Sequence, residues 1–142
     1  MTDPNDFAFT HNLRVRWSEC DAQGIVFNVN YFTYFDIAVW EWTRALGYAT
    51  WVDAPQFVTV HAEADYKASA VFDDELAISV RAARLGTKSL EVVTAVFRTD
   101  ELLNTGKLNY VYVKSGTTET APLPEEFIER VLAFEKITPV RK

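Results

Sequence analysis

Cysteine and histidine are nearly absent from this chain. Cys20 is the single thiol, so no intrachain disulfide can form, and His11 and His61 are the only imidazoles, too few for a zinc site of the usual kind. No metal is expected. Basic residues are also in the minority: 14 Lys and Arg against 20 Asp and Glu leave a formal charge of −6, which argues against a nucleic-acid partner held by a broad basic surface. The first nine residues hold Asp3, Pro4, Asn5 and Asp6 without a basic n-region or an apolar run, so neither a signal peptide nor a membrane span is expected. The expectation is a cytoplasmic protein with no membrane partner. Internal repeats, low-complexity tracts and Pro/Ser-rich linkers are missing too, and only Lys114 to Pro124 is a long turn-rich stretch. With 142 residues, 49% of them hydrophobic, one domain over 1–142 is expected.

What is present is strong patterning. From Asn30 to Leu46 the residues Tyr31, Phe35, Val39, Trp42 and Leu46 recur at three- and four-residue steps and Gly47 follows, which predicts a helix with a glycine C-cap. Strands are predicted at Leu13 to Trp17, from Phe57 as far as Tyr66, around Leu76, Ile78 and Val80, over Ser89 to Arg98 and over Lys107 to Val113. Leu85-Gly86-Thr87 and Thr99 to Gly106 read as turns, and Pro124 opens a short helix over Glu125 to Glu135. One long helix followed by antiparallel strands is an α+β arrangement. Phe32, Tyr34, Phe35, Ile37, Val39, Trp40 and Trp42 spread round most of the helix, wider than the roughly 100° stripe of a surface helix. A curled sheet and a partner subunit together would cover it.

The stretch from Glu19 to Tyr31 places a carboxylate, a glycine turn and a helix start within about ten positions. Asp21 could attack an activated carbonyl or take a proton from water. By itself it is also an ordinary turn or capping residue. Gly24 and Asn28 fit turn geometry and N-capping equally well. The helix start supplies backbone N–H groups at its positive end, where an oxyanion can be held. Cys20 lacks a nearby base and reads as a structural thiol. The cluster of Trp40, Trp42 and Trp51 reads as core or dimer interface, while Glu19 and Asp36 are further acidic candidates.

Glu19-Cys20-Asp21-Ala22-Gln23-Gly24-Ile25-Val26-Phe27, then Asn28-Val29 and Asn30-Tyr31, resembles the motif of the hotdog-fold acyl-CoA thioesterases, in particular the 4-hydroxybenzoyl-CoA thioesterase family. Phe72-Asp73-Asp74-Glu75-Leu76 and Lys88-Ser89 extend the match more faintly. Asn28 stands where many relatives carry His or Tyr, a difference that bears on the acyl pocket. The resemblance implies a single hotdog domain: a curled antiparallel β-sheet wrapped around one long central α-helix, with a short C-terminal helix. It implies hydrolysis of an aromatic or short- to medium-chain acyl-CoA, no cofactor beyond the coenzyme A of the substrate, and a homodimer or homotetramer with active sites at subunit interfaces. It makes Asp21 the nucleophile or general base, Gly24 the turn that lets the chain approach the substrate, and Asn28 the source of a donor N–H. Phe27, Asn30, Tyr31 and Asp36 are candidate substrate-binding residues, Asp36 at a position that faces the acyl pocket, and Arg84, Lys88 and Ser89 fall at the nucleotide. Two alternatives stand beside this: a hotdog hydratase or dehydratase, which would need a suitably placed His, and a non-catalytic module that binds acyl thioesters or an aromatic ligand.

Overall fold

A computed structural model describes residues 2–141. After a short 3-10 turn, the elements run β1 (Phe9–Arg14), a second 3-10 turn (Trp17–Glu19), α1 (Asn30–Ala45), β2 (Gln56–Tyr66), β3 (Glu75–Leu85), β4 (Ser89–Arg98), β5 (Glu101–Val113), α2 (Glu125–Phe134) and β6 (Val140–Arg141). The strands form one sheet in the order β1-β3-β4-β5-β2, antiparallel throughout that path, with β6 added parallel to β3.

The sheet curls around α1 because its apolar residues alternate. Leu76, Ile78, Val80 and Ala82 of β3, Leu90, Val92 and Val96 of β4, and Leu108 and Tyr110 of β5 share one buried cluster with Tyr31, Tyr34, Phe35, Ala38 and Trp42 of α1. Each large side chain so buried contributes about 1.5–3 kcal/mol relative to exposure. On the opposite face Ala95 and Phe97 pack with Phe7 from the N-terminal segment. This is the hotdog architecture, and the buried stripe of α1 explains the helical spacing.

Two expected boundaries are corrected. The first strand is Phe9–Arg14, not Leu13 to Trp17, so His11 lies inside it; Trp17–Glu19 is a 3-10 turn held by the Arg16 backbone N–H donating to Glu19 Oε1 at 2.9 Å. The stretch from Glu101 to Gly106 is strand rather than turn, and the reversal is confined to Thr99 and Asp100, with Thr99 at φ 55°. Gly106 belongs there because a Cβ on it would lie 2.7 Å from Cζ of Phe35. The missing side chain lets the helix sit down on the sheet.

The sheet has two functionally different ends. The start of β3 at Glu75, the end of β2 at Tyr66, the Arg98–Glu101 corner and the start of α1 lie at one end. The β3–β4 turn and the start of β2 lie at the other, since Gln56 pairs with Val113, and the Tyr112 N–H donates to Lys88 O at 2.8 Å. The 11 residues of β3 separate them by roughly 33 Å at about 3.3 Å per residue.

Candidate active site

The segment before α1 folds into a tight hairpin whose tip is Asp21-Ala22-Gln23-Gly24. Gly24 N–H donates to Asp21 O at 3.0 Å, Asp21 N–H donates to Ile25 O at 2.9 Å, and Cys20 pairs with Val26. Gly24 takes φ 81°, the left-handed conformation such three-residue loops demand. No atom lies within 4 Å of a Cβ built on Gly24, so the glycine serves the backbone turn rather than a close contact. The Asp21 carboxylate is half-buried and accepts the Gln23 N–H at 2.8 Å through Oδ1.

The hairpin is fastened at both edges. Val26 N–H donates to Ala70 O at 2.9 Å and Ile25 pairs with Val71, tying it to the strap before β3; Asp74 holds that strap through the Val71 N–H at 2.9 Å and Arg98 at 2.7 Å. On the other side the Glu19 carbonyl accepts both the Phe27 N–H at 2.9 Å and the Asn30 side-chain amide at 2.8 Å. Glu19's carboxylate accepts the Tyr34 hydroxyl at 2.8 Å and the Arg16 guanidinium at 2.8 Å. Burial pushes the Glu19 carboxyl up, but the Arg16 backbone N–H, the Tyr34 hydroxyl and the Arg16 guanidinium outweigh it and hold the group below the usual carboxylate range. Glu19 thus stays ionised as a brace between hairpin and helix.

The helix begins in a tight winding that selects which amides are free. Asn30, Tyr31 and Phe32 N–H groups donate to the carbonyls of Phe27, Asn28 and Val29 at 2.8, 3.4 and 3.0 Å, the i→i+3 pattern of a 3-10 turn. Val29 already has helical angles, φ −68° and ψ −26°. Among the described residues, the N–H groups of Asn28 and Val29 have no hydrogen-bond acceptor. The open donors are therefore two specific amides at the positive end of α1, close in the chain to the braced Asp21.

The remaining expected residues divide into three groups. Phe27 is exposed beside these amides, whereas Tyr31 is 2% exposed in the core, its hydroxyl accepting the Ala70 N–H at 3.1 Å, and Asn30 spends its side chain on Glu19. Asp36 lies farther along α1 and lines an apolar cavity of about 180 Å³ with Trp40, Trp51, Phe57 and Tyr110. Burial, and then the Asp36 charge, push the Tyr110 phenol up and keep it protonated. Arg84, Lys88 and Ser89 sit at the far end of the sheet. Arg84 is exposed, Lys88 Nζ donates to Thr120 Oγ1 at 3.3 Å, and Ser89 closes the turn by accepting the Gly86 N–H at 2.8 Å through its carbonyl. A single chain does not bring them to Asp21.

Tyr66, which sequence patterning singled out only as a strand end, donates its hydroxyl to Asn28 O at 2.8 Å. No local signal marks that contact, because it joins positions 38 residues apart. Of the tryptophans, Trp42 is 1% exposed and Trp51 is 64% exposed, so only part of the expected cluster is core. Cys20 is half-buried, and burial together with the Asp21 and Glu19 charges raises its thiol, which keeps it protonated and a poor nucleophile. His61 is exposed and 2.8 Å from Glu63 on β2, while His11 shares a cavity with Glu19, Tyr34 and Arg16 at β1. Among the described residues no group of three or more His, Cys, Asp and Glu is placed to hold a metal ion, and no helix is long and apolar enough to cross a membrane.

A curled antiparallel sheet wrapped around one long helix is the fold of the hotdog thioesterases. Residues 15–131 match the Thioesterase-like superfamily, and the chain belongs to it as an acyl-CoA thioester hydrolase. It is 30% identical over 124 residues to a protein of Aquifex aeolicus (strain VF5) named "Putative esterase", spanning 85% of this chain and 95% of that protein. It is similar to the thioesterase of Thermus thermophilus solved in complex with coenzyme A and Zn, at 28% identity and TM-score 0.84 over 93% of this chain and 97% of that one. The gentisyl-coenzyme A thioesterase BH1999 superimposes with TM-score 0.78 at 25% identity, covering 87% and 98%.

Proposed function

We propose that this chain hydrolyses an aromatic or short- to medium-chain acyl-CoA to the free acid and coenzyme A, with Asp21 as nucleophile or general base. The observation that supports this reading is that one hydrogen-bonded hairpin carries Asp21 at its tip and runs directly into the helix start where the N–H groups of Asn28 and Val29 are unpartnered. The two amides would receive the carbonyl oxygen as it gains negative charge, and removing one such donor typically costs about 10²–10³ in rate. In the nucleophilic route Asp21 bonds to the acyl carbon, the C–S bond breaks and the thiolate leaves. Water then cleaves the anhydride, giving the acid and regenerating the carboxylate, and the proton released goes to the thiolate to give coenzyme A. In the general-base route Asp21 takes a proton from the attacking water and passes it to the departing sulfur.

The apolar cavity beside Asp36, ringed by Trp40, Trp51 and Phe57, lies toward the start of β2, away from the chain's own hairpin tip. Like Arg84 and Lys88, it would serve a substrate bound at another subunit's Asp21, where it would suit an aromatic or compact apolar acyl body. The coenzyme A named in the Thermus thermophilus structure supports a coenzyme A thioester as the substrate here. Arg84 and Lys88 would meet the nucleotide phosphates of a substrate bound at another subunit's Asp21, since they lie at the far end of the same sheet. A hydratase reading has less support, because His61 is exposed on an edge strand with Glu63. Hydrolysis assays over aryl-, branched- and straight-chain acyl-CoAs, run with wild type and Asp21→Asn, test the proposal. It expects turnover on at least one class and a loss of at least about 10²-fold in the variant; no hydrolysis of any class would overturn it.

A further inference from the structure

We propose that Tyr66 is a positioning residue for thioester hydrolysis: by holding the Asn28 carbonyl it fixes the peptide unit whose other end is the open Val29 N–H. The proposal rests on the reading of Asp21 and the helix start as the reacting centre.

A peptide group is planar, with its C=O and N–H pointing in opposite directions. Anchoring the Asn28 oxygen therefore sets the direction of the Val29 N–H. The 2.8 Å contact from Tyr66 is much shorter than the 3.4 Å contact that the same oxygen accepts from the Tyr31 N–H. The regular helical partner of the Asn28 carbonyl would be the Phe32 N–H, which is spent on Val29 O at 3.0 Å. Without Tyr66 the Asn28–Val29 peptide would be held only by the long Tyr31 contact. Donation to its oxygen also polarises the peptide and strengthens the N–H as a donor, an effect of roughly 10–30% per bond.

Tyr66 is itself fixed. It closes β2 opposite Asn104 of β5, and its ring packs edge-on against Tyr31, with centroids 5.5 Å apart at 73°. Desolvation lifts its phenol above the ordinary value, so the hydroxyl keeps its proton as a donor through the neutral range. The sheet end thereby holds the helix start in place.

Tyr66→Phe retains the ring and removes only the hydroxyl. With the best acyl-CoA of the panel, kcat should fall about tenfold, less than for loss of a whole donor. KM should stay within about twofold and the pH profile of kcat should keep its shape, because ground-state binding and the Asp21 proton are untouched. An unchanged kcat with a lowered melting temperature would make the bond a structural tie and overturn the proposal. A raised KM at unchanged kcat would make Tyr66 a substrate contact and overturn it as well. Asp21→Asn separates the two levels: full activity there removes the reacting centre itself, whereas an inactive Asp21→Asn with a fully active Tyr66→Phe removes only the role of Tyr66.

Discussion

The carboxylates of this chain take their roles from their surroundings. Asp21 is half-buried at a hairpin tip with one N–H bond to Oδ1, leaving the other oxygen for chemistry, whereas Glu19 has both oxygens committed to Arg16 and Tyr34. Glu135, 8% exposed after α2, is a third case. Its Oε2 accepts the Ala82 N–H at 2.8 Å and the Trp42 indole N–H at 3.0 Å, while Oε1 is buried with no partner among the described residues. Burial pushes this carboxyl above its ordinary value and outweighs the Ala82 and Trp42 bonds and the Arg81 charge. The folded state therefore binds the proton more tightly than the unfolded chain, so the stability contributed by Glu135 is full at acidic pH and declines as pH rises through the folded value. Glu135→Gln keeps an acceptor for both N–H groups and removes the charge. Thermal melts of both proteins at pH 5 and pH 8 should show the variant gaining on wild type by a few degrees at the higher pH; equal pH dependence would place the proton elsewhere.

At the scale of elements, the close seat of α1 on the sheet depends on Gly106. Gly106→Ala would drive a methyl into the Phe35 ring and should cost about 1–3 kcal/mol in a denaturant melt, while a neutral result would mean that the helix can lift locally. The same residue explains where patterning falls short. The spacings of Tyr31, Phe35 and Trp42, and the runs Ser89 to Arg98 and Lys107 to Val113, made the helix and the central strands legible, because burial on one face imposes its period on the chain. Asn104 and Gly106 favour a turn by propensity, yet tertiary packing places both in β5. The turn at Gly24 and the helix start at Asn30 were legible because both are local in sequence. The Tyr66 contact and the distance from Lys88 to Asp21 were not, since both depend on how remote strands align.

At the scale of the molecule, β1 and β2 are the open edges of the sheet, and β2 is exposed along most of its length, including Val58, Val60, His61 and Glu63. Unpaired edges of this kind invite a second copy. A two-fold pairing of β2 with its equivalent would run antiparallel and bring the β3–β4 turn of one subunit toward the hairpin end of the other, which reconciles Arg84 and Lys88 with a shared site. Sedimentation at micromolar concentration should then give a dimer or larger species. Lys88→Ala should raise KM several-fold, leave kcat nearly unchanged and flatten the salt dependence of kcat/KM, because exposed charges are screened over about 10 Å at 0.1 M salt. A monomer, or an unchanged KM, would separate Lys88 from the site. The central claim is that the Asp21 carboxylate carries out the chemistry beside the open amides, and single-turnover hydrolysis of the best acyl-CoA by Asp21→Asn tests it most directly. The account predicts a folded protein that binds the thioester and cleaves it at least about 10²-fold more slowly than wild type. Cleavage at the wild-type rate by that folded variant would contradict it.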